Sequence, residues 1–424
     1  MSHDGLVDRA RRLVARTAPL PEHLAGVDLM AVGGTPSALL WQREGLGLAG
    51  RGRALRIPLA KGLGGPGAAD QALEVLRAIK VEDDLGVTGC GPLALGALPF
   101  DRDQAAEVVV PSVVIGADGD GNRWLTTIAS LGEAPTVRLG TIARLPATKP
   151  PDRFSLVSVR PHADWCDEVA RAVSAIHDGD LDKVVLAREV LVQANRPFVP
   201  ADILRRLYSL YPSCMVFAVR GFVGASPELL VSRLGRRVTS HPLAGTVARS
   251  GEADADNRLI AAMLSSDKER HEHRLVVDAV AAALAPVCAR LEVPEVPSIV
   301  SLRNVSHLGT RLRGDLAGRE PATALELVAR LHPTPAVAGT PTDEAVAYLQ
   351  RAEGFERDTY AGAVGWVDAS GDGEWAVGIR SAQLQGNEAR LVAGVGVVAD
   401  SDPTSELAET QLKLQALLAA VARP

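Results

Sequence analysis

The sequence predicts an α+β protein. Short apolar runs separated by Gly, Pro, Asn and Asp turn signals recur from end to end, and only a few segments keep an apolar stripe long enough for a long helix. Strands and helices do not alternate regularly, as a doubly wound sheet would require. At 424 residues the chain has material for one large domain or two ordinary ones, and its 47% hydrophobic and 23% charged residues are those of a soluble globular protein.

Residues 1–150 are rich in Gly, Ala and Pro and read as β-rich. The runs LALGALPF, EVVVPSVVIGA and RWLTTIASL alternate with turns, including Asp118-Gly119-Asp120-Gly121 before Asn122. Residues 147–152, ATKPPD, read as a connector. A helix is expected from Asp164 to Ile176, then Lys183–Arg188 as a buried strand and a second helix near 201–210. MVFAVRG and ELLVSRLG read as strands that end at a turn, SHPLAGT. Residues 254–291 read as one or two helices, with Glu269 and Glu272 near the middle and Val276, Val280 and Leu284 as the apolar stripe. Residues 360–368, 374–383 and 390–398 read as three strands. The closing helix has a marked start, with Asp402 as N-cap and Pro403 at the first helical position.

Composition bounds the function. A net charge of −6 with no basic run argues against nucleic-acid binding, so a small anionic substrate needs a local positive site. Cys90, Cys166, Cys214 and Cys288 form no CxxC pair and read as free thiols of a reducing compartment. The N-terminus lacks the apolar core of a signal peptide, and no apolar run reaches the roughly 18 residues of a membrane span. A cytoplasmic protein without nucleic-acid or membrane partners is expected. Arginines number 39 and lysines 6 (Lys61, Lys80, Lys149, Lys183, Lys268, Lys413), so lysine stands where a compact or neutralisable amine matters, or by chance retention.

Two pairs of glutamates, Glu269 with Glu272 and Glu406 with Glu409, are each spaced three residues apart. In a helix that spacing puts both carboxylates on one face, which is either a solvated acidic surface or a holder for a hard cation. Lys183 lies in a run fit for burial, where loss of water favours a neutral amine and a general base; the alternative is a strand-end lysine reaching solvent. Glu228 opens an apolar strand, as a general acid or as a polar strand edge. His307 is either a substrate donor or a satisfied core histidine. Gly245 and Thr246 can cradle a carboxylate or form an ordinary turn. Arg380 is unusual in mid-strand unless paired with a carboxylate, and Tyr360 can support the same anion. Gly394-Val395-Gly396 lacks the context of a dinucleotide loop, and His271-Glu272-His273 has the wrong helical spacing for zinc.

Together, SPELL around Glu228, SHPLAGT, SDKERHEHRLVVDAV, LHPTPAVAGTP (331–341), GIRSA, AGVGVV with DSDP, and ELAETQLKL resemble the chorismate-utilising enzymes. This family includes isochorismate, salicylate, anthranilate and aminodeoxychorismate synthases. The likeness covers about residues 165–420, with only a loose match before 150. It implies a large antiparallel β-sheet assembly flanked by helices. Residues 151–424 would be the chorismate-binding catalytic region, and 1–150 the N-terminal β-rich part of the same fold.

The resemblance also implies Mg²⁺, with Glu272 and Glu409 as its main carboxylates and Glu269 and Glu406 holding its waters. Lys183 would be the base that activates water, and Glu228 the acid. Tyr360, Arg380, Gly394 and Gly396 would hold the enolpyruvyl carboxylate, and Gly245, Thr246 and Lys413 the ring carboxylate. His307 and Thr334 would complete the pocket. Ammonia-using members carry glutamine where Lys183 stands, and aminodeoxychorismate synthases show a lysine where this chain has Ala244. What remains is an isochorismate synthase, with salicylate synthase or a non-catalytic chorismate-binding paralogue as alternatives. No amidotransferase subunit is expected. Val395 stands where relatives often have alanine, and a positive φ there would strain a β-branched residue.

Overall fold

The computed structural model describes residues 2–35, 37–133 and 149–422. Among them the chain forms two large sheets, of thirteen and nine strands, and a third of three strands. Pairing is antiparallel except between Leu13–Pro19 and Lys80–Asp83 and at an isolated bridge, Ala60 with Gly62. This is the expected α+β class. No described helix is long and apolar enough to cross a membrane.

Strands from the first 130 residues enter both large sheets. Leu39–Arg43 pairs with Met215–Val219 in the larger sheet, and Leu93–Ala97 pairs with Ala363–Asp368 in the nine-stranded one. An aromatic-rich core joins the two sheets: Trp41, Trp124 and Phe217 from one meet Leu95, Val109 and Trp366 from the other. A second core packs the helices Pro200–Leu210 and Pro403–Val421 on the larger sheet. Alternation of apolar residues along the strands lets one face bury while the next position points away.

Several expectations are met closely. The helix near 164–176 runs His162–His177, and the strand opened by Lys183 continues to Ala194. At the turn after Val113–Asp118, Asp118 Oδ1 accepts from the amides of Asp120 (3.0 Å) and Asn122 (2.8 Å). Residues 149–153 have no regular structure, while 147 and 148 lie outside the described residues. The helices His3–Ala10 and Ala68–Arg77 were not anticipated within the β-rich part.

Four expectations need correction. SHPLAGT is not a turn: Arg237–His241 and Leu243–Ala248 are strands on either side of Pro242, and there the chain leaves the nine-stranded sheet for the three-stranded one. Proline, which cannot donate to a ladder, marks the change of sheet. The 254–291 stretch is two helices, Ala253–Ser265 and Asp267–Leu284, one of the two expected forms, but the second helix stops short of 291, and Cys288–Glu292 is a strand. Ser266 caps the second helix through the Glu269 amide, so Glu269 and Glu272, near the middle of the stretch as expected, lie in the opening turns of that helix. The strand predicted over 374–383 is two strands in different sheets, Gly373–Val377 and Ser381–Gln385. Arg380 lies in the break between them with φ +52°, and is therefore not mid-strand. Tyr360 precedes the strand Ala363–Asp368 instead of belonging to it.

The closing helix behaves as its sequence dictates, with Asp402 Oδ1 accepting from the Ser405 amide at 2.8 Å and Pro403 in the first turn. Replacing Asp402 by alanine should lower the midpoint of unfolding, because the capping hydrogen bond to the Ser405 amide is lost. Chemical denaturation checks this, and an unchanged midpoint would show that packing alone fixes the helix start.

Candidate active site

One pocket gathers nearly all the residues singled out above. Glu228, Gly245, Thr246, Glu269, Glu272, His307, Tyr360, Arg380, Gly394, Gly396, Glu406, Glu409 and Lys413 line it. They come from the thirteen- and three-stranded sheets, from the helix Asp267–Leu284, from the closing helix, and from segments between strands that carry Glu228, Tyr360 and Arg380. Two residues are not on its surface. Lys183 is buried, 1% exposed, and meets the pocket through Glu272, whose Oε1 is 2.9 Å from its ammonium. Thr334 is buried and its hydroxyl has no hydrogen-bond partner, while its neighbours Ala336 and Val337 form the wall. Lys268 lines the pocket and was not assigned a role from the sequence; the scarcity of lysine was the signal that marked it.

Three lysines and three glutamates are matched one to one. Lys183 meets Glu272, Lys413 meets Glu409 at 2.7 Å, and Lys268 meets Glu406 at 3.4 Å. Burial works against the Glu272 charge, but Lys183, then Lys413 and Lys268, hold its carboxylate below the usual range. Glu269 has no such partner among the described residues. Burial first, then the charges of Glu272 and Glu409, push its carboxyl up to about 7, against the pull of Lys268 and a backbone bond from Thr246. Burial also raises Glu406.

Glycines allow this crowding. Gly245 has φ +75° and sits where the pairing of Leu243–Ala248 with Val305–Gly309 shifts register, a bulge that needs a residue free of Cβ strain. A Cβ there would come within 2.7 Å of Glu269 Oε2. A Cβ on Gly396 would collide with the Glu272 carboxylate and lie 3.0 Å from Lys183 Cε. Val395 between the glycines has no positive φ; it pairs with Leu186 in an ordinary ladder, so the expected strain is absent. His271 is exposed, whereas His273 is buried and bonded to Thr310 Oγ1 at 2.7 Å. The two point apart, as their spacing on a helix requires.

Arg380, also in the lining, has no carboxylate hydrogen-bond partner among the described residues. Its Nε makes no hydrogen bond, and its Nη2 donates to His307 Nε2 at 3.3 Å. His307 Nδ1 in turn donates to the Gly245 carbonyl at 3.0 Å. That pair of contacts defines a neutral ring, and burial, then Arg380 and Lys413, push the imidazole down to about 3. Burial pushes the Tyr360 phenol up to about 12, so it keeps its proton. Burial likewise pushes Glu228 up to about 8, against the pull of Lys183, the Leu243 backbone, Arg380 and Lys413. Glu228 is therefore a proton-carrying acid at neutral pH. An unpartnered guanidinium and an unpaired carboxyl in a glutamate cluster leave room for one anionic group and one cation.

Oxygen donors of this kind suit a hard divalent ion, and the repulsion felt by Glu269 is what such an ion would relieve. Among the described residues, however, no three acidic, histidine or cysteine side chains are gathered closely enough to ligate a metal in this arrangement. The lysines hold the carboxylates instead.

Fold and pocket define an enzyme for a small anion, built on two packed sheets. The chain belongs to the chorismate binding enzyme family, whose model matches residues 35–422. That match reaches well into the first 150 residues, further than the motifs alone suggest, and strands there join both large sheets. The chain is 41% identical over 342 residues to Bacillus subtilis isochorismate synthase DhbC, across 78% of this chain and 81% of that protein. It is 34% identical over 364 residues to isochorismate synthase MenF of the same organism, across 80% and 77%. The solved structure of MenF, the menaquinone-specific isochorismate synthase from Escherichia coli, matches with a TM-score of 0.80 at 27% identity, over 96% of this chain and 94% of that one.

The His307 ring should stay neutral from pH 5 to pH 8, since its folded pKa of about 3 lies below the whole range. Nitrogen-15 NMR of histidine-labelled protein checks this, and a His307 signal titrating near pH 6.5 would show that the Arg380 contact is not made.

Proposed function

We propose that this chain is an isochorismate synthase, converting chorismate to isochorismate by attack of water at C2 and loss of the C4 hydroxyl. The observation that carries this reading is one pocket that brings a lysine-supported carboxylate cluster up to a proton-holding Glu228. The relatives named isochorismate synthase support it, as does Lys183 at the place where ammonia-using members carry glutamine.

Lys183 takes the proton from the attacking water once it has given up both its own proton and its contact with Glu272. Glu228 gives its proton to the departing hydroxyl, so one hydroxyl enters as another leaves and the formula is unchanged. Arg380, supported by Tyr360 and the Gly394 and Gly396 backbone, holds the enolpyruvyl carboxylate. Gly245, Thr246 and Lys413 hold the ring carboxylate, with His307 completing the pocket and Thr334 buried behind the wall formed by Ala336 and Val337. The neutral His307 ring accepts from Arg380 and so steers the guanidinium without adding charge.

Glu272 and Glu409 would hold Mg²⁺, with Glu269 and Glu406 on its waters, once the lysine pairs yield. When bound, the ion supplies charge neutralisation and electron withdrawal from the ring. Pocket residues run from Val185 to Lys413, which supports reading 151–424 as the catalytic region and 1–150 as the part that completes the fold. Chemistry with water needs no amidotransferase subunit, and a cytoplasmic location suits a soluble substrate.

Purified protein given chorismate and Mg²⁺ should yield isochorismate by chromatography and mass. Lys183→Ala should abolish conversion, and EDTA should stop it. Salicylate and pyruvate as the main products would replace this reading with a salicylate synthase, and no turnover would favour a binding protein. Activity should also fall as pH rises through about 8, because Glu228 then loses the proton it must give. The alkaline limb of kcat/KM reads this in the free enzyme, and a limb unmoved by Glu228→Gln would assign the acid role elsewhere.

A further inference from the structure

The strand Lys183–Ala194 is paired along one side by Glu388–Val397, from Val184 with Val397 to Gln193 with Glu388. On its other side it is paired only at its ends. Gly339–Thr340 takes Lys183 and Val184, and Phe154–Ser158 takes residues 190–194. Between these, residues 185–189 pair with no strand on that side, although the Val185 amide donates to the Ala338 carbonyl at 2.9 Å and the Glu189 carbonyl accepts from the Val159 amide at 3.2 Å. Unpaired main-chain groups in a buried gap are costly, and they must be met by something other than a strand.

Trp165 Nε1 donates to the Ala187 carbonyl at 3.2 Å, and a buried ion pair meets two further groups. Arg357 Nη2 donates to the Val185 carbonyl at 2.6 Å, and the Ala187 amide donates to Glu353 Oε1 at 2.8 Å. Arg357 also donates from Nη1 to the Val337 carbonyl at 2.7 Å. The two side chains grip each other in a fork, Nε to Oε2 at 2.7 Å and Nη2 to Oε1 at 2.5 Å. The guanidinium lies 4.4 Å from the Phe100 ring centroid and 5.9 Å from that of Tyr360, whose amide donates to the Arg357 carbonyl at 2.9 Å. Side-chain exposure is 3% for Arg357 and 2% for Glu353.

Such a pair is an expensive way to gain stability, because an apolar replacement of similar volume is often as stable. What it supplies is direction: a planar fork fixes several carbonyls at once. The three residues it fixes, Val185, Val337 and Tyr360, all line the pocket, whereas Glu353 and Arg357 do not. Val185 is also two residues from Lys183 on the same strand.

We propose that the Glu353–Arg357 pair is the positioning element of this pocket. It stands in for the missing stretch of strand and sets the distance between the Val185 and Val337 wall and Tyr360, and so the fit of the substrate. The proposal rests on the isochorismate synthase reading for its substrate. It predicts that the pair acts on substrate binding while leaving the proton-transfer groups unaltered.

Steady-state kinetics with chorismate test it, on Arg357→Lys, which keeps the charge but loses the fork, and on Glu353→Gln, which keeps the shape. Both should raise KM about ten-fold or more while the pH limbs of kcat/KM stay where they are in the wild type. A purely structural role would instead lower the fraction of active protein, giving a reduced apparent kcat at unchanged KM, and that result overturns the proposal. Phe100→Leu loosens the guanidinium and leaves its hydrogen bonds in place, so it serves if the charge variants do not fold. Its KM should rise about three-fold, and an unshifted KM in that folded variant also overturns the proposal. Wild-type protein that converts no chorismate would overturn the functional reading as well, whereas a normal wild type beside unshifted variants overturns the positioning role alone.

Discussion

The ion pair between Lys183 and Glu272 is the contact on which the rest of the site depends. It joins the first residue of a long strand in the larger sheet to the opening turns of the helix Asp267–Leu284. Neither charge could be buried alone, since removing one partner of such a pair costs about 3–5 kcal/mol. The contact also dictates its surroundings. Position 396 must be glycine for the adjacent strand to pass, and the neighbouring glutamates must find their own lysines or carry a raised pKa.

Charge balance then explains how four glutamates share one pocket. Three are neutralised by lysines and the fourth, Glu269, is held near half protonation at neutral pH. Burial raises the Glu228 carboxyl, so it does not add a fifth negative charge. The remaining imbalance is the Arg380 guanidinium, whose only hydrogen-bond partner among the described residues is a neutral histidine. An anionic substrate meets that imbalance where no protein group does. A site prepared this way trades some stability for selectivity, because an unpartnered buried charge favours the ligand that completes it.

Much of this was legible in the sequence. The glutamate pairs, Lys183, Glu228 and the capped closing helix were visible because helical spacing, capping chemistry and the oddity of a charge in an apolar run are local properties. Misreadings arose where the chain changes sheet. Arg380 looked like a mid-strand residue because its flanking apolar runs are continuous in sequence, although they belong to different sheets. SHPLAGT looked like a turn because Pro and Gly mark turns, and here they mark a sheet crossing and a bulge. Thr334 was expected in the pocket from the family resemblance, and its side chain lies outside the lining.

By itself, the sequence determined the α+β class, the family likeness and the chemical identity of the groups that would act. Periodicity, caps and motif order depend only on residues close along the chain. The tertiary structure alone decided which lysine meets which glutamate, that Lys183 reaches the pocket through Glu272, that Arg380 is left unpartnered, and that Glu353 and Arg357 fill a gap in a sheet. Each of those depends on groups tens to hundreds of residues apart being brought within hydrogen-bond distance in a water-poor interior, where burial and partner charge, not residue type, set protonation and direction.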